Sequence, residues 1–170
     1  LKESRIAIEE QTEIGMEEIP LPFDFSQFQK EQERYDMGEQ DEMPYHPISV
    51  KGNKELEQTY KSRWDKSLPS QFYRFHTGKK FQLDMICYYF ENTPSLIYRL
   101  ITSVNKSIID EVTVFSQVGE NSKNWNANSF TISKNLSITV YKNKLHKGKV
   151  IKKEVVNRYT IDDDGKFTKQ

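Results

Sequence analysis

The chain has 170 residues, 25 Lys and Arg against 25 Asp and Glu, and a mean hydropathy of −0.80. This length fits one domain, and an aromatic content of 12% is too high for a disordered chain. No stretch reaches the roughly 18 apolar residues of a membrane-spanning helix. The single cysteine, Cys87, excludes an internal disulfide and an all-cysteine metal site.

The neutral total hides a division between two parts of the chain. Residues 1–50 hold 13 acidic and 4 basic side chains, a balance of −9, and residues 51–170 hold 12 and 21, a balance of +9. We therefore predict an acidic N-terminal arm over 1–50 and a single β-rich domain over 51–170. Opposite charges favour contact between the two.

The arm is interrupted by prolines and carries isolated aromatic residues. Four prolines exclude a long helix: Pro20, Pro22, Pro44 and Pro47. A short helix is predicted from a cap at Ser26 to about Tyr35. The aromatic residues nearby are expected to anchor the arm on a neighbouring surface: Phe23, Phe25 and Phe28.

A second helix is predicted over residues 53–66. Asn53 or Gly52 offers a start, and Leu56, Tyr60 and Trp64 recur at the spacing of one helical face. We expect this stripe to face the core.

From Phe72 onward, apolar residues recur at every second position, as in half-buried strands. The expected inward sets are Phe81, Leu83, Met85, Cys87 and Tyr89; Leu96, Tyr98, Leu100, Thr102 and Val104; Val112, Val114 and Val118; Phe130 and Ile132; Leu136, Ile138 and Val140; and Ile151, Val155, Tyr159 and Ile161. Short turns join them, so neighbours run antiparallel. We predict a mainly β fold: a meander of six or seven strands, strongly curled or barrel-like, with one or two short N-terminal helices. The alternative is an α+β fold of the NTF2 or cystatin type.

Few residues suggest catalysis or metal binding. His46, His76 and His146 lie far apart in the sequence, without metal-ligand spacing. Cys87 lies among large apolar residues, which favours a buried, inert thiol. The run Asp162–Gly165 lacks the ligand spacing of an EF-hand and indicates a tight turn. We therefore predict no enzymatic activity, no cofactor and no metal.

Two features are candidates for binding. Six lysines fall within twelve residues: Lys142, Lys144, Lys147, Lys149, Lys152 and Lys153. Such a cluster attracts an acidic protein face, another anionic ligand or a glycan, and it also suits a solvated edge hairpin. Trp125, in the polar loop 119–128, could contact a protein partner or a sugar ring, or it could fold under its own loop and close the end of the sheet. The sequence lacks the interleaved aromatic residues and arginines that are expected of a nucleic-acid-binding groove, so nucleic acid is disfavoured as a ligand.

The segments 128–141 and 157–167 resemble strand-turn-strand repeats of small lipoproteins from Bacteroidota-type bacteria. The resemblance implies a periplasmic or surface protein with a binding role, held by a lipidated cysteine upstream of Leu1. Some proteins of this kind are immunity factors that block a toxin from a neighbouring cell.

Three functions remain open on the sequence. The first is a non-enzymatic binding protein of the bacterial cell envelope, with an immunity factor as its specific form. The second is a small enzyme or ligand-binding protein with a site in the concavity of the sheet, which would need polar residues gathered there: Tyr88, Asp84, Arg99 or Glu111. The third is a structural component of a secretion or envelope assembly, with the arm as a docking strand.

Overall fold

A computed structural model describes residues 17–48, 53–60, 71–90, 95–118 and 128–170. Within these ranges the protein is mainly β. The strands are β1 (Glu18–Ile19), β2 (Phe23–Asp24), β3 (Gln71–Phe75), β4 (Gln82–Phe90), β5 (Ser95–Val104), β6 (Ser107–Val118), β7 (Asn128–Ile132), β8 (Ser137–His146), β9 (Lys149–Ile161) and β10 (Phe167–Lys169). The helices are α1 (Phe25–Asp36) and α2 (Lys54–Tyr60).

The strands form two five-stranded sheets rather than one meander. The first has the order β1-β3-β4-β5-β6 and the second β10-β9-β8-β7-β2. Consecutive strands from β3 to β6 and from β7 to β10 pair antiparallel, as predicted. The predicted curled or barrel-like form is not confirmed, because β6 and β7 belong to different sheets and neither sheet, in its described strands, closes on itself.

The main core lies between the sheets. Leu83, Met85 and Cys87 from β4 face it, as their alternation predicts, together with Ile138 and Val140 from β8. A β-bulge between β5 and β6 brings Phe115 into the same core beside Val114, although the two are adjacent in sequence. The side chains of Tyr89 and Val118 lie outside the described part of the structure.

The described part of the N-terminal segment is built into this core. Strand β1 pairs with β3 of the first sheet and β2 with β7 of the second. Phe25 is fully buried, with its ring centroid 4.8 Å from those of Tyr98 and Phe130, which belong to opposite sheets. The predicted anchors Phe23 and Phe28 are also buried. Residues 18–36 therefore contribute to the core of the β-rich domain, although the charge division predicted that this domain begins at residue 51.

The helices begin where local side chains cap them. Asp24, not the predicted Ser26, caps α1, because its Oδ1 accepts a hydrogen bond of 2.9 Å from the backbone N–H of Ser26. Tyr35, on the predicted face of α1, is 37% exposed.

The second helix, α2, covers the outer face of the first sheet. The predicted start at Asn53 is confirmed, since its Oδ1 accepts from the N–H of Leu56 at 3.1 Å. Leu56 and Tyr60 are buried in a second apolar cluster, completed by Ile48, Phe72, Ile86 and Ile101. Residues 61–66 of the predicted helix, including Trp64, lie outside the described residues.

Two predicted inward sets end earlier than expected. Ile161 and Tyr159 of β9 pack into the main core, but Ile151 is 58% exposed and Val155 is 44% exposed. The reason is that two extra residues of β9 interrupt the alternation: Val156 shifts Val155 to the face opposite Tyr159, and Ile151 is itself unpaired with β8. Val104, at the end of β5, is likewise 38% exposed.

Candidate binding surface

The outer part of the β8–β9 hairpin, residues 141–156, forms a ribbon that strand β7 borders only at Tyr141 and Lys142. Asn143 is buried, and most of the residues further out are exposed. Thirteen of these sixteen residues are exposed. Residues 149–156 of β9 alone extend about 25 Å at the rise of a β-strand. We call residues 141–156 the ribbon. Its turn is Lys147-Gly148, both with positive φ (50° and 76°), the two-residue hairpin connection predicted at this position.

One face of the ribbon is basic. Residues opposite each other in an antiparallel pair point to the same side of the sheet. The pairs Lys144↔Lys152, His146↔Lys149 and Lys142↔Glu154 therefore share a face. That face continues the side on which Ile138 and Val140 enter the core. We call it the basic face, and four of the six predicted lysines lie on it: Lys142, Lys144, Lys149 and Lys152.

The opposite face of the ribbon is largely apolar. It carries the pairs Tyr141↔Val155 and Leu145↔Val150, with Asn143 and Lys153 between them. The Lys153 ammonium lies 5.7 Å from the centroid of the Tyr141 ring, a cation–π distance. We call this the apolar face. The six lysines of the sequence cluster are thus divided: four lie on the basic face, Lys153 lies on the apolar face, and Lys147 lies in the turn.

Most of the lysine charge on the ribbon is unneutralised. In the described ranges, Lys152 is the one member of the six in an ion pair, with Glu154 at 3.2 Å. The side chains of Lys142, Lys144, Lys147 and Lys149 are exposed. The basic face therefore presents a local positive potential, although the whole chain has no net charge.

The ribbon also has an open edge. Strand β10 pairs with β9 only from Tyr159 to Ile161. The Arg158 carbonyl accepts a further hydrogen bond from the Gln170 N–H at 2.8 Å. Among the described residues, none pairs with that edge of β9 between Lys149 and Asn157. Exposed backbone N–H and C=O groups of an edge strand can pair with another chain.

Exposed apolar side chains concentrate at the same place. Seven large hydrophobic residues in the described ranges are exposed, and four of them are Val150, Ile151, Val155 and Val156. Contiguous exposed apolar groups next to a polar rim are typical of an interaction site. Trp125 and residues 119–127 of the other predicted site lie outside the described residues.

A buried charged cluster lies on the outer face of the first sheet, beneath α2. Asp84 is 1% exposed and accepts hydrogen bonds from Arg74 Nε at 2.8 Å, Arg74 Nη2 at 3.2 Å and the Tyr60 hydroxyl at 2.7 Å. Arg74 also donates to Glu55 at 3.1 Å. These contacts join α2 to β3 and β4.

The electrostatics of this cluster favour a fixed ion pair. Burial lowers the pKa of Arg74, but its hydrogen bonds and attraction to Asp84 outweigh burial and raise that pKa. Burial and the Asp84 carboxylate both raise the pKa of Tyr60, so its hydroxyl stays protonated as a donor. Sequence reasoning missed Arg74 as a partner of Asp84, although each is a charged residue between two apolar strand residues, a signal of a paired buried charge.

The polar residues expected for an enzyme site share this face. Arg99 lies with its guanidinium carbon 5.7 Å from the Tyr88 ring centroid and its Nη1 3.8 Å from Glu111. The Arg99 and Glu111 side chains are 38% and 31% exposed. Asp84 is on the same face but separated from solvent. The structure therefore gathers Tyr88, Arg99 and Glu111 in a half-exposed strip and keeps Asp84 beneath α2.

The remaining sequence candidates have structural roles in their described contacts. Cys87 is buried, and burial raises its pKa to about 11, against a smaller lowering by the Tyr98 hydroxyl. Asp162 Oδ1 accepts from the N–H groups of Asp164 and Lys166, each at 2.9 Å, which confirms the tight turn. His76 lies beside Glu18, with 2.7 Å between Nδ1 and the carboxylate. Within the described ranges, no group of three His, Cys, Asp or Glu residues could hold a metal ion.

Comparisons of the chain with protein families, with curated proteins and with solved structures found no match. Neither described helix is long and apolar enough to cross a membrane.

Proposed function

We propose that this protein is a non-enzymatic binding protein that captures another protein through the ribbon. One observation carries the proposal: a basic face, an apolar face and an open strand edge coincide on residues 141–156. Hydrophobic contact supplies affinity in such a surface, and charge supplies orientation and speed of association.

The ribbon is more than a solvated hairpin in this proposal. Lysines alone would suit an edge strand that avoids pairing with other chains. The exposed side chains of Val150, Ile151 and Val155 are costly to leave in water, and no layer of the described fold covers them. A partner that covers the apolar face removes this cost.

We further propose that the protein acts at the bacterial cell envelope, in the periplasm or on the outer surface. The support is the resemblance of residues 128–141 and 157–167 to envelope lipoproteins. In its most specific form, the proposal is that the protein is an immunity factor, whose ribbon binds a toxin and blocks the functional surface of that toxin.

A small enzyme is the second candidate, and it has a specific observation in its favour. Tyr88, Arg99 and Glu111 converge on one half-exposed strip. Such a site would use Arg99 to bind an anionic group and Glu111 to exchange a proton. Asp84 is committed to Arg74 and Tyr60, which leaves fewer groups for catalysis.

The experiment is capture of partners from an envelope extract or from candidate toxins. The test variant carries Lys144→Glu, Lys149→Glu and Lys152→Glu, all on the basic face. The matched control carries the same charge change at exposed lysines elsewhere: Lys54→Glu, Lys106→Glu and Lys134→Glu. We expect the test variant to lose the partner and the control to retain it at physiological salt, where the Debye length is about 8 Å.

Two further variants separate the alternatives. Trp125→Ala tests the second predicted binding residue. If Trp125 contacts the partner, we expect the variant to dissociate from it faster, and we expect this difference to depend little on salt concentration. Arg99→Ala tests the strip of the enzyme hypothesis. Retention of every partner by the triple lysine variant would refute the ribbon as the binding surface.

A further inference from the structure

The two faces and the open edge of the ribbon restrict the kind of partner. We propose, on the basis of the binding function above, that the partner presents an extended strand with alternating acidic and apolar side chains. This strand pairs with the open edge of β9.

The geometry of strand addition leads from the ribbon to this pattern. Successive side chains of an added strand point to opposite faces of the extended sheet. On the basic face they meet Lys149, Lys152 and Glu154, with Lys142 and Lys144 one strand further in. This face therefore carries four lysines and one carboxylate, and that carboxylate is already paired with Lys152 at 3.2 Å. On the apolar face they meet Val150 and Val155, with Lys153 between them and its ammonium over the Tyr141 ring. Carboxylates suit the first environment and aliphatic groups the second.

The register of β9 limits the length of the paired segment. Ile151 and Val156 have no partner residue on β8, which marks two bulges. Bulges increase local twist and interrupt regular pairing. The regular run of the edge is therefore Lys152–Val155, and a strand of about four to six residues suffices to cover it.

A second copy of this chain is disfavoured as the occupant. Two β9 edges in antiparallel contact would join the basic faces of the two copies into one surface, and each copy brings four lysines and one glutamate to it. Like charges across a strand pair are destabilising, and edge lysines commonly prevent such self-pairing. An acidic strand from a different protein meets no such repulsion.

The test is an NMR titration of the full-length, ¹⁵N-labelled protein with synthetic peptides of about ten residues. One peptide alternates Glu and Val, and its control has the same composition with all Glu before all Val. We expect the alternating peptide to shift the amide signals of residues 149–156 and to bind at least about fivefold more tightly than the control. The triple variant Lys144→Glu, Lys149→Glu, Lys152→Glu should bind it at least about tenfold more weakly, since three attractive charges become repulsive.

Backbone methylation of the peptide tests pairing directly. In a strand, the N–H groups of the Glu positions point to one edge and those of the Val positions to the other. We expect N-methylation of one set to abolish binding and N-methylation of the other set to leave it within about threefold, because only one edge of the peptide faces β9.

Several outcomes would overturn this inference. If the two peptides bind with equal affinity, the ribbon attracts anions without recognising a strand. Binding of phosphatidylglycerol vesicles that depends on the same lysines would lead to the same conclusion. Tolerance of N-methylation at both sets of positions would exclude strand pairing. Either result leaves the binding function intact if partner capture still depends on the ribbon lysines, so the two proposals fail separately.

Discussion

At the scale of single residues, the carboxylate of Asp84 holds three elements together. It accepts from Arg74 on β3 and from Tyr60 on α2, and all three side chains are nearly excluded from water. A buried ion pair of this kind contributes little net stability compared with apolar residues of the same shape. Removal of one partner alone is expensive because the other charge stays buried.

We therefore predict that Asp84→Asn lowers the free energy of unfolding by about 3–5 kcal/mol, since Arg74 loses its buried carboxylate partner, and Glu55, which it retains, is partly exposed. The matched control is Asp163→Asn, whose side chain is 94% exposed beside Lys79. That control should change stability by less than about 0.5 kcal/mol. Urea denaturation of the three proteins measures both values, and equal stability of the two variants would contradict the prediction.

The thiol of Cys87 gives a second prediction at this scale. Burial raises its pKa from 9.0 to about 11, so the thiol ionises more readily in the unfolded state than in the folded state. Its contribution to stability is complete below pH 9 and is lost as the pH rises to about 11. The loss amounts to roughly 3 kcal/mol, since each of the two pKa units corresponds to about 1.4 kcal/mol.

Cys87→Ala should flatten this part of the stability profile, measured by urea denaturation between pH 8 and pH 11. The buried tyrosines lower stability in the same direction from about pH 10, where they ionise in the unfolded state, and they do so in both proteins. The difference between the protein and the variant therefore isolates the thiol. We also expect a thiol reagent to label Cys87 only after denaturant is added. Rapid labelling of the native protein would contradict its burial.

At the scale of elements, α1 is the link between the two sheets. Phe25 contacts Tyr98 and Phe115 of the first sheet and Phe130 of the second. We predict that Phe25→Ala costs about 3–5 kcal/mol of stability, because it opens a cavity between the sheets. Tyr35→Ala, at the exposed end of the same helix, should cost less than about 1 kcal/mol. Thermal unfolding compares the two, and a small effect at Phe25 would place α1 outside the core.

The ribbon gives the opposite pattern of expected effects. Val150→Thr and Val155→Thr together should leave the unfolding free energy within about 0.5 kcal/mol, because both side chains are already exposed. The same pair should weaken partner capture, since the apolar face loses its contact surface. Ile138→Thr is the control, as Ile138 is fully buried and its substitution should destabilise the fold. Loss of stability in the valine variant would indicate that the ribbon is covered within the protein.

At the scale of the whole molecule, much of the fold could be predicted from local patterns. Alternation identified the buried residues Leu83, Met85 and Cys87, and Asn53 identified the start of α2. The assignment of strands to two sheets could not be predicted, because it depends on which edges meet. Strands β1 and β2 have two residues each, too short for any periodic signal.

The candidate binding surface was predicted in composition but not in shape. The lysine cluster is visible in the sequence, whereas its division between two faces depends on the register of β8 and β9 and on the bulges at Ile151 and Val156. Alternation predicted Ile151 and Val155 to face inward, because a sequence pattern does not show the two bulges that change which face these residues take. The extension of the ribbon beyond the core is what turns an ordinary hairpin into a candidate interface.

Amide hydrogen exchange of the protein, alone and bound to its captured partner, tests the central claim most directly. We predict that exchange in residues 149–156 slows at least about tenfold in the complex, because the open edge of β9 becomes paired. The amides of β6, at the edge of the first sheet, serve as the internal control and should be unchanged. Unchanged exchange in the ribbon, with protection appearing instead around Tyr88, Arg99 and Glu111, would contradict the account.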